Sequence, residues 1–323
     1  MLFIGIDISK LKFDVSLLFS DLSYKHQYFE NNTKGFKSLL TFIKTYKKEA
    51  LFCMEATSIY WLPLAKYLHA KNKKVLVINP IKTNAFSKME MNRNKTDKAD
   101  SKCIARYLKY LANKKELDKY LFKPKSKNFE KLQYLNTRLE QLNKTLNQEQ
   151  NRLEASFDKD VVRSITRTLN NITKEINKIK LTISNIIIQD EYLNNQLQLL
   201  ISIDGIGEKT AWAILAYIGD IIFYSSAKQI TAYAGLNPRI EQSGTSINKS
   251  RLSKLGNKRL RKSLYMPALV AIRYNAKMLD LYERLLQRGK PKKVALCAVM
   301  RKLLVLSYGV LKSGKPFSFD YQG

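Results

Sequence analysis

Four carboxylates stand where a metal-dependent phosphoryl-transfer enzyme could use them. Asp7 lies at the end of the strand-like run LFIGIDI, and Glu55 lies at the end of the later run ALFCMEA. Asp97 and Asp100 follow in NKTDKADSK, and their i,i+3 spacing puts both on one face of a helix. Carboxylate oxygens are hard ligands that favour Mg²⁺ or Mn²⁺, and a pair of such ions can stabilise the entering and leaving oxygens of phosphoryl transfer.

Each of these acids also has a purely structural explanation. A single acid after a strand is usually a turn or surface residue, Asp97 would serve as a helix cap, and Asp100 would suit the positive end of the helix dipole. Asp7 and Glu55, however, interrupt strongly apolar runs, where a charge without a partner is costly. That cost favours a shared metal site over four unrelated surface acids.

Serine hydroxyls supply the second candidate chemistry, in the basic stretch NPRIEQSGTSINKSRLSKLGNKRLRKS at 237–263. A serine hydroxyl is a poor nucleophile unless a metal or a base activates it, and chemistry alone leaves the choice open among Ser243, Ser246, Ser250 and Ser253. The cations of this stretch suit a phosphate backbone; they are Lys249, Arg251, Lys254, Lys258, Arg259, Arg261 and Lys262.

A glycine hairpin in LLISIDGIGEKTAWAIL (199–215) resembles the helix-hairpin-helix motif. Gly205 and Gly207 would let the backbone approach a phosphate, and the N-terminal N–H groups of the next helix, with Lys209, would bind it without reading sequence. A plain structural turn between packed helices is the alternative.

Charge and residue counts narrow the classes of partner and mechanism. The 323 residues carry 57 Lys+Arg against 27 Asp+Glu, a formal net charge of +30, which favours nucleic acid over an anionic membrane surface as partner. Three separated cysteines and two histidines argue against a Cys/His zinc centre and a histidine general base. Without an export or membrane-spanning pattern, the sequence predicts a cytosolic protein.

The elements that must position these residues divide the chain into three segments. Segment 1–118 alternates strand and helix patterns in the order of an RNase H-like α/β domain, whose central first strand would lie beside the strand that ends at Glu55. Segment 196–323 is mainly helical with polar loops, including apolar helices near 263–275 and 293–311. In the first segment the predicted strands are 2–8, 13–19, 25–30, 50–56 and 74–80, and the predicted helices are 33–48, 58–70 and 97–112.

Segment 119–195 has sustained heptads, which predict coiled-coil helices. A break at 157–160 leaves two long helices, which either form a hairpin or pair with another protomer; we expect an assembly element. The first seam is Leu132, Leu135, Leu139, Leu142, Leu146 and Leu153, and the second is Ile165, Leu169, Ile172, Ile176, Ile179, Ile183 and Ile186.

Nearly the whole chain resembles the DEDD-type insertion-sequence transposases, the insertion-sequence one-ten family. GIDISK, MEATSIYW and NPIKTNAFSKMEMNRNKTDKADSKCIARYL are similar to the family's RuvC-like N-terminal domain. IDGIGEKTAWAILAYIGD, AYAGLNPRIEQSGTS and SKLGNKRLRKSL are similar to its C-terminal transposase domain. In that domain Pro238 and Ser243-Gly244 fit the family pattern, and Thr245 departs from it where a second Gly is common.

The resemblance implies a DNA recombinase that excises and inserts its own element. It implies that Asp7, Glu55, Asp97 and Asp100 hold Mg²⁺ or Mn²⁺ and that Ser243 forms a covalent bond to DNA. The implied partners are the DNA of the element ends and target, a structured noncoding guide RNA (a bridge RNA), and further copies of the chain in a dimer or tetramer. The implied location is the cytoplasm of a bacterial or archaeal cell, in association with the nucleoid.

Three other functions are compatible with the same residues. A site-specific DNA invertase would share both domains with the transposases. A RuvC-like, structure-specific nuclease would use only the acids, and an architectural DNA-binding protein would use only the long helices and the glycine hairpin. A denaturing gel after incubation with DNA and Mg²⁺ separates a covalent adduct, clean cuts, and binding alone.

Overall fold

The computed structural model describes residues 1–91, 96–243 and 247–318. It divides into two compact units, Met1–Pro124 and Lys125–Gly323. The sequence predicted three segments; in the structure the long heptad helices belong to the second unit, because their seam joins that unit's apolar core.

The first unit is built on a five-stranded mixed sheet in the order β3-β2-β1-β4-β5. Strand β1 is central, pairs antiparallel with β2 and parallel with β4, and so lies beside the strand that ends at Glu55, as predicted. The elements are β1 (Leu2–Ile8), β2 (Lys12–Leu18), β3 (Tyr24–Glu30), α1 (Thr33–Lys44), β4 (Ala50–Glu55), α2 (Trp61–Ala70), β5 (Lys74–Ile78), α3 (Pro80–Met89) and α4 (Asp97–Asn113).

Alternating side chains of the strands point to opposite faces of the sheet and belong to two apolar layers, one on each face. Ile4 and Ile6 of β1 pack with residues of α1 and α2 such as Leu39 and Leu64. Phe3 of the same strand belongs to the opposite layer, with residues of α3 and α4 such as Ile104. The mixed α/β sheet predicted from the apolar runs is confirmed, and it is consistent with an RNase H-like domain.

Helix α3 is missing from the sequence-based prediction, which used Pro80 only to end a strand. Proline lacks the N–H that the first turn of a helix leaves unpaired anyway, and its fixed φ suits the first helical position. Asn79 caps the helix, since its side chain accepts a hydrogen bond from the Ile81 N–H at 2.9 Å. The same proline therefore ends β5 and begins α3.

The second unit is mainly helical, as predicted, and its long helices α5 and α6 pack against each other within one chain. The helices are α5 (Lys127–Glu154), α6 (Lys159–Ile188), α7 (Glu191–Ile201), α8 (Glu208–Ile218), α9 (Ala227–Tyr233), α10 (Lys258–Ser263), α11 (Tyr265–Tyr274), α12 (Ala276–Gln287) and α13 (Lys292–Ser313). Two strands, β6 (Pro238–Ser243) and β7 (Ile247–Leu252), interrupt them.

The β6–β7 hairpin is a correction to the sequence-based picture, which treated this basic stretch as a polar loop. Its strands pair antiparallel from Pro238↔Leu252 to Ser243↔Ile247. Glu241 on β6 pairs with Arg239 at 3.0 Å and with Arg251 across the ladder at 2.6 Å. Opposite charges on one face of the ladder stabilise strands that lack an apolar alternation.

Helix α13 is long and apolar enough to meet the length and composition of a membrane span, but half of its apolar stretch is buried within the second unit. Val299 and Leu303 are fully buried in the core of the second unit. A core helix of a globular unit has the same composition, so α13 is weak support for a membrane span.

Gly5 in the middle of β1 is in direct contact with the backbone of α4. A Cβ at this position would lie 2.1 Å from the Ser101 carbonyl oxygen and 2.3 Å from the Ala105 nitrogen. Both obstacles are backbone atoms, which no side-chain rotation can move away. The strand and the helix that carry Asp7, Asp97 and Asp100 thus approach as closely as two backbones allow.

Replacing Gly5 with alanine should destabilise the protein by about 1–3 kcal/mol or more, because the methyl group has no room. Gly309→Ala is the matched control: it lies in helix α13 with open space around it, and should be neutral or stabilising by about 0.5–1 kcal/mol. Thermal unfolding followed by circular dichroism measures both. Equal unfolding temperatures for the two variants would contradict the close contact.

Candidate functional site

The parallel pairing of β1 with β4 brings Asp7 and Glu55 to the same edge of the sheet. Ile6 pairs with Met54, so the next residue of each strand is one of the two acids. Both carboxylates lie at the boundary of the core and are half-buried. The sequence prediction that these strand ends are neighbours is confirmed.

Helix α4 begins at the other two acids. Thr96 caps it, its hydroxyl accepting a hydrogen bond from the Ala99 N–H at 3.1 Å, so that Asp97 and Asp100 lie in the first turn. The helix packs on β1 and β2. All four acids are therefore carried by elements that meet in the first unit.

The crowding of these acids is visible in the pKa of Asp7. Burial raises it most, and the charges of Asp100, Asp97, Glu55 and Asp14 raise it further, to about 6 from the ordinary 3.8. Among the described residues, no three Asp, Glu, His or Cys side chains meet at the spacing of a closed metal site. The acids are near enough to repel one another at Asp7, and their hard oxygens are the donors that Mg²⁺ and Mn²⁺ prefer.

Asp14 is a fifth acid that the sequence-based reasoning missed. It pairs with Asp7 in the β1–β2 register and is only 6% exposed. His26 Nε2 lies 2.9 Å from one of its oxygens. Asp14 interrupts an apolar run just as Asp7 and Glu55 do, so the same cost argument could have found it.

Lys12 brings a cation to the same group of acids. Its Nζ lies 3.0 Å from Asp97 Oδ2 and 3.4 Å from Asp14 Oδ2. These two carboxylates come from different elements, α4 and β2, and the ammonium group reduces their mutual repulsion. Nothing in the local sequence indicates this contact, because it joins residues 85 positions apart.

Two threonines orient Glu55. The Thr83 hydroxyl, on α3, donates to Glu55 Oε1, and the Thr57 hydroxyl donates to Oε2 at 3.3 Å. Thr83 is 2% exposed, so its hydroxyl must find its hydrogen-bond acceptors within the protein. These acceptors are Glu55 and the Pro80 carbonyl, the latter at 3.0 Å. Sequence-based reasoning missed Thr83 because helix α3, which carries it, was not predicted.

The candidate nucleophile belongs to the second unit. Ser243 is the last residue of β6, with an exposed side chain. Arg239 and Glu241 occupy alternate positions of the same strand and hence the same face as Ser243. Ser250 lies on β7 and Ser253 follows that strand, whereas Gly244, Thr245 and Ser246 lie outside the described residues.

The glycine hairpin is a turn between α7 and α8. Gly205 has φ +96° and lies against Ala271, where a Cβ would come within 2.7 Å of the alanine Cβ. Gly207 is the N-cap of α8, with no atom near a Cβ placed there, and Lys209 lies in the first helical turn. The predicted pair of helices is present, and its role in binding nucleic acid stays a prediction.

Several of the predicted nucleic-acid contacts also have partners within the chain. Arg251 pairs with Glu241, and Arg259 Nη1 lies 3.3 Å from Glu140 Oε2. Arg261 is half-buried and donates to the Ala234 carbonyl at 2.7 Å, so its first role is to hold the turn after α9. Among the other predicted contacts, Lys258 and Lys262 lie on α10, Lys254 follows β7, and the Lys249 side chain is outside the described part of the chain.

Two family models match most of the chain, and the first extends past the boundary between the two units at Pro124. One family model, described as a transposase of the DEDD type, matches residues 4–160, and a second, described as the transposase IS116/IS110/IS902 family, matches residues 197–283. The pilin gene-inverting proteins of Moraxella bovis and Moraxella lacunata are each 37% identical over 327 aligned positions, covering 98% of this chain and 97% of theirs. An insertion element IS110 protein of 43.6 kDa from Streptomyces coelicolor is 30% identical over 115 residues, 36% of this chain and 28% of that one.

The raised pKa of Asp7 leads to a prediction about stability. Folding favours protonated Asp7, so this contribution to stability is present below pH 3.8 and is lost as the pH rises through about 6. In EDTA at about pH 7.5, Asp7→Asn should therefore stabilise the protein, by about 1–2 kcal/mol after allowance for solvent screening. The gain should shrink as the pH falls toward about 4.

Thermal unfolding of the metal-free protein at several pH values measures this effect. Asp118→Asn, which removes an exposed carboxylate of the same unit, is the control and should leave stability within about 0.5 kcal/mol. A destabilised Asp7→Asn protein at neutral pH would mean that the carboxylates do not repel one another there.

Proposed function

Because the chain belongs to the IS110 family of DEDD transposases, we propose that it is a DNA recombinase that uses the N-terminal acids and Ser243 in one reaction. The observation that carries this proposal is the crowding at Asp7, whose pKa is raised to about 6 by burial and by four neighbouring acids. An acid cluster on a chain of net charge +30 is costly unless a cation completes it.

The donor set fits a divalent metal. Asp7, Glu55, Asp97 and Asp100 would hold Mg²⁺, with Mn²⁺ as the alternative, since all four offer carboxylate oxygens. Such an ion supplies positive charge that stabilises the oxygens of a phosphoryl group during transfer. Thr83 and Thr57 hold the Glu55 carboxylate in one orientation, and Lys12 holds Asp97 at the edge.

Ser243 would be the nucleophile toward DNA. Its Oγ forms a bond to phosphorus while one P–O bond to a deoxyribose oxygen breaks, and the proton of the hydroxyl ends on that departing oxygen. One phosphodiester replaces another, so the step needs no oxidant and no energy-rich co-substrate. Arg239 and Arg251 lie on the Ser243 face of the hairpin, where each pairs with Glu241, and their remaining N–H groups can donate to a phosphate.

The partners in this proposal are DNA, a guide RNA and further copies of the chain. DNA follows from the family, and the +30 charge supports binding to a polyanion of either kind. RNA guidance and a dimer or tetramer come from the family resemblance alone. In this proposal the protein acts in the cytoplasm, in association with the nucleoid.

DNA inversion is the second candidate function. Two relatives that align over 98% of the chain, at 37% identity, are named as pilin gene-inverting proteins. The same acids and serine would serve both reactions, and only the arrangement of the DNA sites would differ. A plasmid with two inverted sites, sequenced after incubation, separates inversion of the intervening segment from insertion at a new target.

Ser243→Ala should bind DNA as the parent protein does but form no covalent adduct and no recombinant product, because the attacking oxygen is gone. Ser250→Ala is the matched control, since Ser250 lies exposed on the partner strand of the same hairpin. A denaturing gel with labelled DNA and Mg²⁺ detects the adduct. An adduct that persists in Ser243→Ala would refute the assignment and direct attention to Ser246.

The acids are tested by the same assay. Asp7→Asn, Glu55→Gln, Asp97→Asn and Asp100→Asn should each abolish the adduct while the fold is retained. A mixture of Ser243→Ala and Asp7→Asn proteins should regain some activity if one protomer supplies the acids and another supplies the serine, because each variant then provides the group that the other lacks. Full activity in any two acid variants, or activity that EDTA leaves undiminished, would refute the metal-site proposal.

Thr83→Val should weaken Mn²⁺ binding by about 10-fold or more, because partners that orient a metal ligand contribute on that scale. Thr83→Ser keeps the hydroxyl and should restore the affinity. Titration calorimetry of the unreacted protein measures both without reference to recombination. Equal Mn²⁺ affinities for the valine and serine variants would show that the Thr83 hydroxyl does not support metal binding.

A further inference from the structure

A groove of about 480 Å³ lies in the second unit, outside the acids and Ser243. Helix α5 forms one wall, and the other is formed by residues of α8, α10 and α11. Helix α8, which follows the glycine hairpin, and the basic helix α10 therefore line the same groove, although they are far apart in the sequence.

The α5 wall is a row of side-chain amides. Asn143, Asn147 and Asn151 are exposed and follow each other at intervals of four residues, which keeps them on one face of the helix. The Asn143 amide donates one hydrogen bond to the Leu139 carbonyl at 2.7 Å, and Asn136, further along the same wall, is buried. At 1.5 Å per residue the exposed row is about 12 Å long. An amide group both donates and accepts hydrogen bonds, so the row can contact phosphate, sugar and base edges alike.

Cations line the groove beside these amides. They are Lys144 on α5, Lys209 on α8, and Arg259 and Lys262 on α10. Glu140 is the one carboxylate among the described lining residues, and it accepts hydrogen bonds from the Tyr217 hydroxyl at 2.6 Å and from Arg259 at 3.3 Å. Four cations against one engaged carboxylate make the groove complementary to a polyanion.

We propose that this groove binds the sugar–phosphate backbone of one nucleic-acid strand along α5. Lysine, arginine and amide side chains are the groups that contact phosphate and sugar. The described lining contains no aromatic ring, so the base stacking that holds free single strands is not its mode of binding.

The proposal rests on the chain being a nucleic-acid enzyme, but not on the roles of the acids or of Ser243. Binding is therefore measured with the full chain in EDTA, by fluorescence anisotropy with a labelled DNA duplex and, separately, a labelled RNA duplex. The two probes share the backbone chemistry, and the tighter one identifies the strand that the groove receives.

The cations are tested by salt dependence. Lys209→Gln with Lys262→Gln should make the slope of log K against log salt less negative by about 1.8 on DNA, since each phosphate contact contributes about −0.9. The matched control is Lys131→Gln with Lys178→Gln, two exposed lysines of α5 and α6 outside the groove. An equal change in both double variants would mean that only net charge matters, and would overturn the proposal.

The amides are tested by a loss of affinity that should be the same at every salt concentration. Asn143→Ala with Asn147→Ala should weaken binding by about 10-fold at every salt concentration, with the slope unchanged, because two uncharged hydrogen-bonding groups are lost. Gln141→Ala with Thr145→Ala, on the same helix outside the groove, should leave binding as it was. Unweakened binding by the asparagine double variant would overturn the proposal even if recombination proceeds through Ser243.

Discussion

The contact between Gly5 and the backbone of Ser101 and Ala105 is the constraint on which the N-terminal unit depends. Any side chain at residue 5 would push α4 away from β1, since a Cβ would already lie 2.1 Å from a carbonyl oxygen. Beside this contact the Ser16 and Ser101 hydroxyls share a buried hydrogen bond of 2.8 Å, which satisfies the polar groups at the interface. The close approach is what brings the first turn of α4 to the end of β1.

That approach creates an electrostatic problem that the chain only partly resolves. Asp7, Asp14, Glu55, Asp97 and Asp100 are five of the 27 acids of a chain that otherwise carries an excess of cations. Lys12 and His26 reach Asp14 from outside, and Lys12 also reaches Asp97. Asp7 still has a raised pKa, so the protein gives up stability at neutral pH to keep these charges together. Concentrated repulsion of this kind is typical of functional sites.

Much of the first unit followed from local signals, because apolar runs, caps and breaks act within a few residues. Strands β1 and β4 and helix α4 were found in this way, and so were the four acids they carry. Thr83, Lys12 and the partner of Gly5 were not, because each acts through a contact far along the chain. Helix α3 was lost for a different reason, since a proline can end one element and begin the next. In the second unit, the β6–β7 hairpin is held by ion pairs, and no apolar alternation marks its strands.

The long helices illustrate the limit of a heptad pattern. Leu139 and Ile176 are 7% and 5% exposed in the core of their own chain, so a charge at either residue would disrupt the hairpin before it affected any assembly. Toward the loop the seam is less well covered: Leu146, Leu153 and Ile165 are only half-buried, and Phe157 at the tip is 95% exposed. Where α5 and α6 pack only against each other, each helix covers one side of the other's apolar face. Burial of that face therefore decreases toward the loop, where the rest of the second unit no longer packs against the two helices. The heptads predicted that these apolar faces must be covered. Near the core of the second unit the chain itself covers them, and assembly of protomers through these helices stays a prediction.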